Sequence, residues 1–385
     1  MPKVLRRWSL VLALALMVLP GARVFSDPAG GGIGGLGIHP GGIGGTGIHP
    51  GGIGGTGITA LGVIQRFGSI YVNGQEYVLS PQTRYSVDGA AGTAKDLRLG
   101  DRVTVQAAAD GQAVAQVVRV EHAVIGRVTE VQAAKRQFTI LGETIQAGKM
   151  TPITVRNSNQ SLPFAALKTG DVVSVSGLDQ GNGHWLATEI CRRYPADAAP
   201  ARVPLLLRGR VDAIHPGQNT LEVGATKLKI NGTLLRAIQV GQSVVVRGEY
   251  TDGKTRAESV NPSALAAQEV GNRVSLLGYL DRGTDGWTTH GVSLVESHHT
   301  LYENGDAADM QAGSMVAIEG RVQAPGVVNA ERVIFSVNPM DFDLPIIPRM
   351  PVLPPMLHHP EIERPEFGPP EIEPLVERPE LPDND

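Results

Sequence analysis

Tyr71 and Tyr77 have the best claim to touch a ligand: they flank Asn73-Gly74, and on the outer face of one strand pair both rings could stack on a sugar. They are the candidate ligand-stacking residues. His298 and His299 follow Glu296, His358 and His359 precede Pro360, and His39 and His49 stand in a Gly-rich stretch. Adjacent residues on a strand point to opposite faces, and His39 and His49 have no carboxylate or thiol beside them, so all six are read as solvated. Cys191 is the single cysteine, which excludes an internal disulfide and leaves strand-end packing as its role. Asp101 and Asp171 each follow a glycine and are read as turn residues, because no base or nucleophile recurs with them. Gly52, Gly54 and Gly57 match GxGxxG, but without the strand and helix that pyrophosphate binding needs. No catalytic, cofactor-binding or metal-ligating residue is assigned.

The elements that would position such residues come from a long internal period. LRLGDRVTV around Gly100 is matched by LKTGDVVSV around Gly170, IQVGQSVVV around Gly241 and MQAGSMVAI around Gly313. A second landmark follows each: AQVV from Ala115, ATEI from Ala187, AESV from Ala257 and AERV from Ala330. Two landmarks holding one period of about 70 residues through four copies define tandem domains. Within a copy, valines alternate, as at Val103 and Val105 or Val244 and Val246, and Asn73-Gly74, Asp110-Gly111 and Asp252-Gly253 punctuate the runs. The Gly of each Gly-led strand is expected at positive φ. The predicted fold class is all-β: four tandem, small, five-stranded, OB-like β-barrels. They span 61–121, 122–193, 205–262 and 273–338, with linkers at 194–204, read as a hinge, and 263–272, with a helical turn near Ala264–Glu269.

The flanks follow different physics. Lys3, Arg6 and Arg7 precede the apolar run Trp8–Leu19, then Pro20, Gly21 and Ala22, so residues 1–26 read as a secretory signal and the mature protein as periplasmic or secreted. No later run reaches the roughly 20 apolar residues of a spanning helix, so after signal removal the chain is expected to be soluble. Residues 27–60 form a decapeptide-repeat arm too glycine-rich for ordinary helix, expected to be disordered. From 339 onward thirteen of the 27 prolines sit among eleven acidic residues, which predicts a disordered, extended tail. Four basic residues at one end offset a tail of net −8 within a total of −4, so residues 27–338 are neutral and nucleic acid is excluded as partner.

The segment GGTGITALGVIQRFGSIYVNGQEY, residues 54–77, with the LxxGDxVxV and AxxV landmarks, resembles a family of exported bacterial repeat proteins, domain of unknown function 5666. The resemblance implies a small barrel over residues 61–336. It implies no catalytic site, cofactor or ligand. The expected function is therefore that of an exported, non-catalytic binding or structural protein of the cell envelope, presenting its modules to a protein or glycan partner. The alternative is an enzyme acting on envelope polymers from a site at a repeat junction, which requires carboxylates, or a nucleophile and base, to converge there.

Overall fold

The computed structural model describes residues 57–340, apart from 109–111, 159, 252–253, 263–269, 284–285 and 336. The signal segment, most of the Gly-rich arm and the tail beyond Met340 lie outside the described residues, as do the turns at Asp110-Gly111 and Asp252-Gly253 and the helical turn expected near Ala264–Glu269. Two boundaries are corrected: Tyr194 and Val203-Pro204, expected in the linker 194–204, belong to the strands His184–Tyr194 and Val203–His215, and the first repeat begins earlier. Gly57–Ala60, expected at the end of a loose arm, begin the strand Gly57–Arg66, which pairs antiparallel with Arg102–Ala108 and parallel with Arg273–Tyr279. Ladders on both sides offset the backbone entropy that glycine loses on ordering.

Each repeat has an opening strand, a hairpin, a Gly-led strand and a closing strand. The opening strands are Gly57–Arg66, Val124–Gln132, Val203–His215 and Arg273–Tyr279. The Gly-led strands are Arg102–Ala108, Val172–Gly181, Ser243–Thr251 and Met315–Ala324, and the closing strands Ala115–Val120, His184–Tyr194, Lys254–Pro262 and Val327–Phe335. In the second repeat the ladder runs from the opening strand through Gln137–Ile140 and Glu143–Ala147, in parallel to the closing strand, on to the Gly-led strand and back to the opening strand. The third repeat has the same circuit. A further short strand lies parallel to the closing strand in repeats one, two and four; in repeat three a helical turn, Gly232–Leu235, capped by Asn231, stands instead.

Two glycines per repeat explain the sequence signature. Gly100, Gly170, Gly241 and Gly313 all have φ between +86° and +95°. Their N–H groups donate to the carbonyls of Ile64, Val128, Val211 and Leu280, each at 2.7–2.8 Å, so one backbone clasp recurs four times. The opening-strand glycines serve packing: a Cβ on Gly62, Gly126, Gly209 or Gly278 would collide with Asn73, Ile140, Val223 or His290, because the first hairpin folds down on that position. Asn73-Gly74, Leu141-Gly142 and His290-Gly291 have positive φ at both residues, the I′ geometry that suits strand twist, whereas the matching turn of repeat three, Gly224-Ala225, has positive φ at Gly224 alone.

Val103, Val105, Val173, Val175, Val244, Val246, Val316 and Ile318 all point inward and are buried. The opening strands are buried on both faces. Leu205 and Leu207 join the core shared by repeats two and three, while Leu206 between them meets Ile125 and Val245 in a separate patch. Leu276 belongs to the core of repeat four and Leu277 to a patch with Val63 of repeat one and Leu178 of repeat two. Fully burying each such side chain contributes about 1.5–3 kcal/mol, enough to lock repeats together. The segment read as a hinge is held as well: Ala196 N–H donates to Asp171 (2.9 Å) and Arg127 donates to the Pro200 carbonyl (3.3 Å). Strand Val203–His215 then pairs with Val124–Gln132 across the repeat boundary.

Candidate functional site

Repeats one and two are joined by only Glu121, His122 and Ala123, so the connection is drawn inside the assembly. Repeat three closes over it. Arg208 Nε donates to the His122 carbonyl (2.8 Å) and Arg208 N–H to the Ala123 carbonyl (2.9 Å). Asp88, at a tight Asp88-Gly89 turn, receives the His122 main-chain N–H (3.0 Å) and faces its ring Nδ1 at 2.6 Å, with Arg208 at 3.6 Å. Glu121 is met by Thr104 (3.1 Å), Arg102 (3.4 Å) and Arg208 (3.7 Å). Burial by itself would raise both carboxyls, but His122 and Arg208 hold Asp88, and Arg208 and Arg102 hold Glu121, below the usual range. For His122, burial favours the neutral ring and the Asp88 carboxylate more than reverses it.

The His122 ring also lies beside two more carboxyls. Asp101 of repeat one, Glu189 of repeat two and His122 each offer a ligand atom within 4.8 Å of the others, and all three are buried. Asp101 accepts the Arg98 N–H (2.7 Å) and the Ser176 hydroxyl (3.3 Å), and Glu189 accepts the Thr154 hydroxyl (2.8 Å). Burial pushes Asp101 up, and burial together with the Asp101 carboxylate pushes Glu189 up. His122 Nε2 and Glu189 Oε2 are buried without a hydrogen-bond partner among the described residues. Asp101 keeps its predicted turn role through the Arg98 N–H, as Asp171 does through Lys168 N–H (3.0 Å), but only Asp101 also enters this cluster.

Beside the junction lies a cavity of about 820 Å³ to which all four repeats contribute: Arg102 from the first, Asp179 and Trp185 from the second, Arg210 and Asp212 from the third, and Tyr279, Asp281 and His290 from the fourth. Burial, reinforced by the carboxylates of Asp212 and Asp281, lifts Asp179 to about 6. Gln180 donates to the Tyr279 hydroxyl (3.0 Å), Trp185 Nε1 donates to Glu143 (3.1 Å), and Arg210 pairs with Asp281 at 2.8 Å. The lining thus mixes charged donors and acceptors with two aromatic rings.

His290 gives this region a pH dependence. Its Nε2–H donates to the Leu277 carbonyl (2.7 Å), and burial with the nearby Arg102 charge depresses its pKa to about 4. An unfolded histidine protonates near 6.5, so the unfolded chain takes up this proton first; the stabilisation is complete above that pH and is lost as pH falls toward 4. In repeat one Asn73 makes the same bond, to the Leu61 carbonyl at 3.0 Å, with the same positive φ. His290→Asn is therefore expected to fold and to flatten the decline in stability between pH 6.5 and 4 by on the order of 2 kcal/mol. Parallel urea titrations of both proteins across that range check it; identical slopes would refute it.

The tyrosine pair is a correction. Ile70 pairs with Tyr77 and Tyr71 with Glu76 across the hairpin, so the rings lie on opposite faces: Tyr77 is wholly buried in the core of repeat one, while Tyr71 lies under the Arg66 guanidinium at 3.8 Å. They cannot grip one ligand together. His298 and His299 are exposed in a turn rather than on a strand, and Cys191 is buried and free, its thiol raised by burial. Asp88, His122, Glu189, Asp179 and Asp212 were not singled out by sequence. Only the absence of a linker at Glu121–Ala123 hinted that the connection had to pass through the interior.

A clasp, a hairpin over glycine and a returning ladder, repeated along the chain, define a tandem-repeat all-β protein. The family model described as Domain of unknown function (DUF5666) matches residues 58–119, 125–191 and 270–334, together half of the chain, and the chain belongs to that family. The matched segments are repeats one, two and four; repeat three lies outside the match and carries the same backbone clasp at Gly241. No curated protein matches the chain. Among the described residues no helix is long and apolar enough to cross a membrane.

Proposed function

We propose that this chain is an exported binding protein of the cell envelope, periplasmic or secreted, whose four repeats are small, closed, OB-like barrels locked into one body, and that it takes a glycan in the cavity between them. The leader-like order of Lys3, Arg6, Arg7 and the apolar run Trp8–Leu19 supports export. The observation that carries the binding reading is the shared cavity of about 820 Å³, whose convergent carboxylates, guanidiniums, Tyr279 and Trp185 suit a polyhydroxylated ligand. A site assembled from four repeats also gives the repetition a purpose beyond spacing.

Calorimetric titration of the full chain with oligosaccharides from envelope polymers tests the reading. Saturable binding is expected, weakened at least about tenfold by Arg210→Ala combined with Asp281→Asn. Those side chains are 49% and 58% exposed, so the double variant should fold normally. Absence of binding, or equal binding by the variant, would count against the glycan site; co-purification of a protein would move the reading to a protein partner. Release of shortened oligosaccharide during the titration would instead support an enzyme acting on envelope polymers.

A further inference from the structure

We propose that Asp101, His122 and Glu189 form a buried structural site for a divalent transition-metal ion, of which zinc is the best match. Their ligand atoms lie within 4.8 Å of one another, and ligand atoms on one tetrahedral zinc ion stand about 3.4 Å apart, so a closure of at most about 1.4 Å would seat three ligands, with the fourth position left to a second carboxylate oxygen or a water. Two independent features point to a ligand there. Among the described residues His122 Nε2 and Glu189 Oε2 have no hydrogen-bond partner, although the residues are 3% and 0% exposed; leaving such atoms bare is disfavoured. Asp88 grips Nδ1 of the same ring at 2.6 Å, the carboxylate–histidine arrangement that orients metal-bound imidazoles and fixes which nitrogen faces the ion.

The donor set of one imidazole and two carboxylates suits first-row divalent ions, with zinc favoured over manganese by the nitrogen. The carboxylates are already anchored: Thr154 donates to one oxygen of Glu189, and Asp101 takes the Arg98 N–H on one oxygen and the longer Ser176 hydroxyl contact on the other. Full burial leaves no room for substrate, so the ion would clamp repeat one to repeat two rather than catalyse. The competing occupant of the gap is a proton, on Glu189 or on His122 Nε2.

The test uses the full chain, stripped with chelator and exposed to zinc, manganese or calcium chloride, with metal content and thermal unfolding as readouts. One zinc per chain is expected, with Tm raised by about 5 °C at a zinc concentration about 100-fold above Kd. Glu189→Gln, which preserves size and an acceptor for Thr154, should weaken zinc binding at least about tenfold, and Asp88→Asn about 10–100-fold through loss of ring orientation. Replacing His298 and His299 by Ala should change neither readout. A stripped wild-type chain that retains its circular dichroism yet takes up no zinc would overturn the proposal, as would undiminished uptake and stabilisation in Glu189→Gln.

Discussion

Gly100→Ala is expected to destabilise the protein by about 4 kcal/mol, whereas Gly313→Ala, at the matching position of repeat four, should cost about 1–2 kcal/mol. Both glycines have φ near +87°, a conformation that strains any Cβ. The difference lies in what surrounds them. A Cβ on Gly100 would stand 2.1 Å from the Thr188 carbonyl oxygen, a backbone atom of repeat two, while one on Gly313 meets nothing within 4 Å among the described residues. Thr188 also donates its hydroxyl to the Gly100 carbonyl at 2.6 Å, so relieving the clash breaks a buried bond between repeats. Urea denaturation of the two variants measures the gap. Equal losses would show that the contact between repeats one and two is not formed in solution.

Removing the Asp88 carboxylate should have a comparable effect. In Asp88→Ala the His122 ring and main-chain N–H lose their acceptor, and among the described residues Arg208 keeps only Glu121, at 3.7 Å, as a charged partner. Stripping one member from a buried charge network costs about 3–5 kcal/mol, because the remaining charges stay desolvated. Asp88→Asn retains an acceptor oxygen and should lose markedly less. Because the native environment holds Asp88 below its ordinary pKa, its contribution is present above the unfolded value near 4 and disappears as pH falls below it. The wild-type advantage over Asp88→Ala should accordingly shrink on acidification; a stability difference independent of pH would rule out the charge network as its source.

The recurrence of Gly100, Gly170, Gly241 and Gly313 announced the repeat because one backbone clasp requires positive φ each time, and local conformation of that kind is written in single residues. Strand alternation was equally legible in the inward valines. The site was not. Asp88, Asp101, His122 and Glu189 belong to different elements, have no common spacing, and meet only because the repeats pack. Tyr71 and Tyr77 misled for the opposite reason: they are close in sequence, but cross-strand pairing with Glu76 and Ile70 sends them to opposite faces. A better signal was present in the runs Leu205–Leu207 and Leu276-Leu277, where alternation gives way to continuous apolar residues, as it does in strands buried on both sides.

By itself the chain's order of residues determined the repeat, its length, its all-β character and the glycine positions, since these rest on backbone conformation and periodicity within about 70 residues. Only the tertiary structure decided that repeat one pairs with four and two with three, that a three-residue connection runs through the interior, and that carboxylates from separate repeats share one histidine. Those outcomes depend on which faces dock, a matter of shape and burial between distant segments that no local pattern encodes.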